Sequence, residues 1–219
     1  MNDKILVPPI KCQGIKTKLI PFIRKNVNRD SKGIWIEPFV GTGVVALNIA
    51  PSKAILTDKN RYIIKLYQGI QNKSITSQSV RCFLEYHGKE LERFGGEYYI
   101  QMRNEFNKNG DPLYFLFLNR SDFNGMIRFN RCGQFNVPFC QKPNRFSKAY
   151  ITKICNQVDM MEKAMDGKDW KFECCSWQKT FAYASANDYI YLDPPYIGRD
   201  TSYAVSYTHL RAHETEADL

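Results

Sequence analysis

Short apolar runs and one amphipathic segment dominate the first third of the chain. Residues 33–37 and 54–58 are apolar runs of strand length, and the second run ends in an acid. Between them, residues 38–43 break the pattern and residues 44–50 can begin a helix. Residues 60–71 place apolar side chains on one helical face: Tyr62, Ile63, Leu66, Tyr67 and Ile70. This order of strand, glycine loop, helix, strand and acid predicts the opening of a nucleotide-binding α/β sheet.

The middle of the chain has a different pattern. Between about residues 73 and 166 the alternation of strand and helix ceases, and aromatic and basic side chains interleave. Residues 170–177 and 189–193 then have strand character and are expected to return to the sheet. We therefore predict one α/β domain, built from residues 1–72 and 167–203, with an insertion over residues 73–166.

The last segment is interpreted separately from the fold. Residues 204–219 (AVSYTHLRAHETEADL) follow the conceptual translation of a transposase-type sequencing adapter. We interpret them as an adapter artefact and exclude them from reasoning about structure. The native sequence is then expected to end near Tyr203, which would leave the strand over residues 189–193 at an exposed edge of the sheet.

Composition and charge add little to this picture. The 31 Lys and Arg residues against 22 Asp and Glu give a net charge of +9, which favours a polyanionic partner without identifying one. The seven cysteines form no C-x-x-C pair, so reduced thiols are expected rather than a zinc ribbon or a disulfide framework. No apolar run approaches the roughly 20 residues of a membrane span. We expect a cytoplasmic protein with no membrane or metal partner.

Two sequence motifs carry candidate chemistry. Gly41 and Gly43 follow Phe39 in a loop where backbone could approach a ligand closely, and Asp58 could accept hydrogen bonds from ribose. A plain glycine turn beside a surface acid would have the same sequence. Residues 193–196 (DPPY) are more informative. The Asp193 carboxylate and the Pro194 carbonyl could accept both hydrogens of an aromatic amine such as adenine N6, freeing its lone pair.

Tyr196 offers a face on which the base could stack. Such a site needs positioning and electrostatics, without a covalent nucleophile or a metal.

Together these motifs resemble the Dam-like (D12 class, group alpha) family of site-specific DNA adenine N6-methyltransferases. Residues 9–16 (PIKCQGIK), 37–43 (EPFVGTG), 57–60 (TDKN) and 192–196 (LDPPY) match its motifs in order. The resemblance implies a Rossmann-like methyltransferase sheet with an inserted, largely helical target-recognition region. It also implies S-adenosylmethionine as cofactor, with these contacts: Cys12, Lys16, Glu37, Phe39, Gly41, Gly43, Asp58 and Asp193. Cys12 replaces the family's usual aromatic residue, and Ile15 a usual glycine.

Residues 118–138 resemble the family's target-recognition hairpin. The resemblance implies double-stranded DNA as partner, with these contacts: Lys11, Asn124, Met126, Arg128 and Pro138. Arg128 would read a guanine beside the target adenine, which implies a GAT-containing site such as GATC. Arg120 and Arg131 are expected to contact phosphate non-specifically. A restriction endonuclease that acts on the same site could accompany the protein.

Two alternatives remain at this point. The same motif serves N4-cytosine, RNA and protein-glutamine methyltransferases, against which the N-terminal motif and the 118–138 stretch argue. The chain could instead be a truncated remnant that binds DNA or cofactor without turnover. We expect the 219-residue chain itself to be unstable or weakly active.

Overall fold

The structure, a computed structural model, describes residues 4–27 and 33–195. Within these residues a four-stranded sheet has the order β3-β2-β1-β4, and every neighbouring pair is parallel. The strands are β1 (Trp35–Glu37), β2 (Lys53–Asp58), β3 (Asp169–Cys174) and β4 (Tyr189–Ile190). The predicted α/β class is confirmed.

Helices flank the sheet and fill the middle of the described chain. They are α1 (Ile20–Asn26), α2 (Val44–Ile49), α3 (Arg61–Gln71), α4 (Ser77–Phe94), α5 (Gly96–Asn109), α6 (Pro112–Ser121), α7 (Lys148–Met165) and α8 (Trp177–Phe181). Single 3₁₀ turns cover Thr17–Leu19 and Pro143–Arg145. None of the helices in this part of the chain is long and apolar enough to cross a membrane.

Helix α3 forms where the periodicity predicts it. The Asn60 side chain accepts hydrogen bonds from the backbone N–H groups of Tyr62 and Ile63, which caps the first turn. The five predicted core positions of this helix are all buried. Because α3 packs against β3 and also against α6 and α7, it joins one side of the sheet to the inserted helices.

The insertion is largely helical, as the resemblance implied. Helices α4 to α7 follow one another between β2 and β3, and α4 begins with a capping box at Thr76. Their apolar side chains belong to the same buried cluster as those of the sheet. The insertion therefore shares one core with the α/β domain. The boundaries at residues 72/73 and 166/167 stay a prediction.

Two predicted strands are shorter than expected. β3 ends at Cys174, and the Ser176 side chain then caps α8, because a hydroxyl oxygen can accept from a free N–H of the first helical turn. β4 covers only Tyr189–Ile190, although the Tyr191 N–H still donates to the Ile36 carbonyl at 2.9 Å. The backbone then leaves the ladder before the two prolines.

β4 lies at an edge of the described sheet, as expected. Ile190 and Leu192 are 40% and 50% exposed. The interpretation of residues 204–219 falls outside the described residues and stays a prediction.

Replacing Asn60 by alanine removes the cap of α3 and should lower the free energy of unfolding by about 1 kcal/mol. Asn60→Ser is the matched control, because its hydroxyl keeps the cap. Both variants also remove the buried Asn60 Nδ2, which has no hydrogen-bond partner within the described chain. Urea denaturation followed by circular dichroism measures both variants. Equal stability of Asn60→Ala and Asn60→Ser would contradict the capping role.

Candidate active site

Three predicted site acids meet at one edge of the sheet, which we call the acid edge: Glu37, Asp58 and Asp193. Glu37 ends β1, Asp58 ends β2, and Asp193 follows β4 by three residues. Because these strands are parallel neighbours, their carboxyl ends lie together. Both other acids act electrostatically on Glu37. Among residues 4–27 and 33–195, no three His, Cys, Asp or Glu side chains are grouped so that they could hold a metal ion.

The glycine loop after β1 leaves room for a ligand at one of its two glycines. Gly41 and Gly43 both have left-handed backbone, with φ of 49° and 69°. A Cβ atom at Gly41 would meet nothing nearer than the Phe39 carbonyl oxygen at 4.0 Å. At Gly43 it would lie 3.5 Å from the Tyr67 ring, which is ordinary van der Waals contact. The half-buried Phe39 lies beside the open position. Contact of Phe39, Gly41 and Gly43 with cofactor stays a prediction.

Asp58, the last residue of β2, holds the glycine loop by a hydrogen bond. Its carboxylate accepts hydrogen bonds from the Gly41 N–H at 3.0 Å and from the Asn60 N–H at 2.8 Å. Burial raises the pKa of Asp58, and these backbone hydrogen bonds oppose the rise. The predicted ribose acid thus has a structural role whether or not it also binds ribose.

Glu37 is an enclosed acid. It is 2% exposed and accepts a hydrogen bond from Trp35 Nε1 at 3.2 Å. Burial raises the pKa of Glu37 to about 8, and the charges of Asp193 and Asp58 add to the rise. Glu37 therefore mostly keeps its proton at neutral pH, which limits repulsion along the acid edge. Its contact with cofactor stays a prediction.

The N-terminal motif reaches the DPPY motif through one ion pair. Lys16 Nζ lies 2.6 Å from Asp193 Oδ2 and donates to the Gly14 carbonyl at 2.9 Å. Both partners are partly exposed, at 19% and 25%. Pro194 is exposed, and Tyr196 lies outside the described residues. Cys12 is half-buried against the core.

A buried amide joins this segment to the predicted DNA-reading region. Asn119 Oδ1 accepts from the Lys11 N–H at 2.7 Å, and its Nδ2 donates to the Lys11 carbonyl at 3.0 Å and to the Gly125 carbonyl at 3.3 Å. Asn119 has no exposed surface. The sequence interpretation assigned it no role, although an amide directly after the apolar run of α6 is a signal that a buried partner exists.

Residues 122–139 form the region that we call the recognition hairpin. Antiparallel bridges join Asp122 to Phe139 and Phe129 to Phe135. The predicted DNA contacts occur along it or beside it: Lys11, Asn124, Met126, Arg128 and Pro138. Asn124 and Pro138 are exposed, whereas Lys11, Met126 and Arg128 are half-buried.

Backbone geometry shapes the base of the recognition hairpin. Asn124 has left-handed φ at 60°, and the Pro138 carbonyl accepts from the Phe123 N–H at 2.9 Å. A Cβ atom at Gly125 would lie 2.4 Å from the Lys11 Cβ, so Lys11 packs directly beneath the turn.

Arg128 is held across the recognition hairpin by Asn136. Its Nε donates to Asn136 Oδ1 at 2.8 Å, and its Nη2 donates to the Asn136 carbonyl at 2.8 Å. The hydrogen bonds of the described chain leave its Nη1 available. Asn136 was missed as a positioning residue, since its contact depends on the hairpin register.

The expectation for Arg120 is wrong. Arg120 is 3% exposed, donates to Gln157, and lies 3.5 Å from the Tyr150 hydroxyl. Enclosure between α6 and α7 gives it a structural role and keeps it from contacting phosphate directly. Arg131 is exposed, and its phosphate contact stays a prediction.

The profile of the D12 class N6 adenine-specific DNA methyltransferases matches residues 13–219 of this chain. The chain belongs to this family. The adenine specificity and the DNA substrate that the motifs implied are therefore those of the family.

Curated relatives share this assignment. The chain is 32% identical to a DNA adenine methylase of Escherichia coli K12 over 216 residues, covering 96% of the chain and 73% of the relative. It is 34% identical to a DNA adenine methylase of Haemophilus influenzae over 193 residues, covering 86% of the chain and 63% of the relative. A Vibrio cholerae DNA adenine methylase is 30% identical over 200 residues, covering 88% and 66%.

Glu37→Gln should make stability less dependent on pH. The folded chain holds the Glu37 proton up to a pKa of about 8, whereas the unfolded value is near 4.5. Below pH 4.5 both states are protonated; as pH rises towards 8, Glu37 progressively destabilises the fold. The advantage of Glu37→Gln should therefore grow across this window, to roughly 3–6 kcal/mol.

Urea denaturation at several pH values without cofactor measures this advantage, and the exposed Glu92→Gln is the matched control. A constant difference between the wild type and Glu37→Gln from pH 5 to pH 8 would show that Glu37 titrates normally.

Asn119→Leu should destabilise the protein by roughly 2–4 kcal/mol, because the Lys11 N–H and the carbonyl groups of Lys11 and Gly125 lose their hydrogen-bond partner. Asn104→Leu, at an exposed position of α5, is the control and should change stability little. Amide hydrogen exchange should also accelerate at Lys11 in Asn119→Leu. Equal stability of the two leucine variants would refute the role of Asn119 in joining Lys11 to the recognition hairpin.

Proposed function

We propose that this protein transfers a methyl group from S-adenosylmethionine to the N6 amine of adenine in duplex DNA, within GATC or another GAT-containing site. The observation that carries the proposal is the double attachment of residues 11–16. At one end Asn119 ties Lys11 to the recognition hairpin, and at the other end Lys16 pairs with Asp193. A DNA-reading element and the amine-binding motif are thereby held in a fixed relation.

The acid edge fits the proposed cofactor. The open space before Gly41 would admit a ligand close to backbone, and Asp58 lies beside it. The carboxylate of Asp58 beside this position suits a cation such as a sulfonium. When bound, S-adenosylmethionine supplies an electrophilic methyl group. Phe39, Asp58 and Lys16 are the residues that we expect to hold it, with Cys12 at the rim.

Asp193 and Pro194 supply the proposed chemistry at the amine. The Asp193 carboxylate and the Pro194 carbonyl accept one hydrogen bond each from the two amine hydrogens. Gripping both hydrogens favours a pyramidal nitrogen, whose lone pair is no longer delocalised into the ring. Lys16 Nζ contacts Asp193 Oδ2 and leaves Oδ1 to accept. A positioned acceptor pair of this kind acts through orientation and electrostatics.

We further propose that the target adenine rotates out of the duplex before transfer. Adenine N6 is not reachable inside a stacked duplex, so enzymes that act on a base extrude it into a pocket. Pro194 is exposed at the acid edge, which is where an extruded base could enter. Tyr196 would then stack on the base.

Arg128 is the proposed reader of the guanine beside the target. A guanidinium donates two hydrogen bonds to guanine O6 and N7, and Asn136 limits the orientations of this one. The family membership favours adenine over N4-cytosine, RNA or protein glutamine as acceptor, because the Asp193 and Pro194 acceptors alone would suit each of these amines. A restriction endonuclease partner stays an expectation from the resemblance.

Labelled methyl transfer to duplexes with and without GATC tests the proposal directly. The wild-type chain should label adenine N6 in GATC duplexes, at a low rate in keeping with the weak activity expected of it, and Asp193→Ala should lower kcat at least about 100-fold by removing an acceptor. Arg128→Ala should reduce the preference for GATC over single-base variants by roughly 5- to 150-fold. Arg81→Ala, on α4, is the matched control and should keep the preference.

Labelled cytosine, RNA or protein instead of adenine would overturn the acceptor assignment. Cofactor binding without transfer to any acceptor would favour the remnant alternative, with circular dichroism showing whether the chain is folded.

A further inference from the structure

Three cationic side chains from separate segments surround the hydroxyl and ring of Tyr150, near the start of α7. We call them the cation cluster: Lys11, Arg120 and Arg145. Their charged groups lie 5.8, 5.6 and 4.5 Å from the ring centroid, respectively. Arg145 Nη2 donates to the Tyr150 hydroxyl at 2.9 Å, and Arg120 Nη1 lies 3.5 Å from it. Although burial raises the pKa of Tyr150, the positive charges of Arg120, Lys11 and Arg145 lower it overall.

The charge of the cation cluster is not balanced by ion pairs among residues 4–27 and 33–195. Within the described chain, none of the three cations forms an ion pair with Asp or Glu. The nearby acid is Asp122, which is 4% exposed. Burial raises the pKa of Asp122 to about 9, so this carboxyl group is neutral at physiological pH. Three like charges held close together repel one another, and an anionic ligand would relieve that repulsion.

On its accessible side the cation cluster has hydrogen-bond donors that its contacts within the described chain do not use. Lys11, Arg145 and Tyr150 are half-buried, whereas Arg120 is enclosed behind them. Arg145 uses Nε to donate to the Arg120 carbonyl at 2.9 Å and Nη2 to bond Tyr150, which leaves Nη1 for a ligand. Arginine, lysine and phenol together are suited to the oxygens of a phosphate group.

The cluster also lies at the base of the recognition hairpin. Lys11 packs beneath Gly125, and Asn119 hydrogen-bonds both residues. Asp122 begins the recognition hairpin on the same side. A phosphate bound there would sit next to the element that reads bases, where backbone contacts fix the register of a protein on DNA.

We propose that Lys11, Arg145 and Tyr150 bind one phosphodiester group of the DNA backbone, with Arg120 as the buried support of Arg145 and Tyr150. This inference rests on the proposed function and adds to it a register-setting contact. It also redefines the expected role of Lys11 as a contact to phosphate. Arg120, which the sequence predicted to contact phosphate, would then act indirectly, through its contacts with Arg145 and Tyr150.

A scan of neutralised phosphates tests the site. GATC duplexes that carry a single methylphosphonate at successive positions are titrated against the wild type, Arg145→Gln and Arg81→Gln. Arg81 pairs with Glu85 on α4, so its variant loses the same charge away from the cluster. At one position the methylphosphonate should weaken wild-type binding roughly 10-fold. Arg145→Gln should show no further loss there, whereas Arg81→Gln should keep the full effect.

Salt dependence and two more conservative substitutions complete the test. Arg145→Gln should reduce the slope of log K against log salt by about 1 relative to Arg81→Gln. If Arg145→Gln does not fold, Arg145→Lys and Tyr150→Phe are used in the same scan. Each should diminish the effect of that one methylphosphonate while keeping the wild-type melting temperature within a few degrees.

The outcomes separate this inference from the proposed function. If the wild-type chain binds and methylates GATC duplexes but every methylphosphonate acts equally on wild type and Arg145→Gln, only the phosphate site is overturned. If the wild-type chain neither binds nor methylates DNA, the proposed function fails and the inference fails with it. Saturable stabilisation by inorganic phosphate that DNA does not displace would overturn the assignment to the DNA backbone.

Discussion

The parallel pairing of β1 with β2 on one side and with β4 on the other is the constraint on which the site depends. Trp35 is in register with Ala54 and with Tyr189, so chain segments more than 130 residues apart end at the same edge. Parallel strands direct their carboxyl ends alike, and loops at that edge carry the acids and the glycine turn. The inserted helices lie between β2 and β3 along the chain without disturbing this pairing, because they share its core.

Residues 11–16 connect two electrostatic environments of opposite sign. Lys16 neutralises part of the acid edge, where Glu37 is enclosed and mostly protonated. Lys11 belongs to the cation cluster, where Asp122 is similarly enclosed and neutral. In each place burial suppresses the ionisation of one carboxyl group, which lowers the negative charge of the acid edge and leaves the positive charge of the cation cluster without a counter-charge from Asp122.

Local sequence was sufficient for some elements and insufficient for others. The apolar period over residues 60–71 predicted α3, because one face of that helix packs against the core along its whole length. Residues 170–177 looked like one strand, but Ser176 caps a helix instead, and a hydroxyl near the end of an apolar run is a weak signal in sequence. Arg120 looked like a surface cation beside other basic residues. Its burial against Gln157 depends on how α6 meets α7, which no local pattern encodes.

The sequence by itself determined the order of the motifs, the family, the α/β class and the residue types available for chemistry, because periodicity and motif spacing are local properties of the chain. Only the tertiary structure decided which of these residues meet. Lys16 and Asp193 are far apart in sequence, as are Lys11 and Asn119, and their contacts exist because the sheet and α6 bring them together. The protonation of Glu37 was likewise undecided until its burial was known, since desolvation is a property of the surrounding atoms and not of the residue.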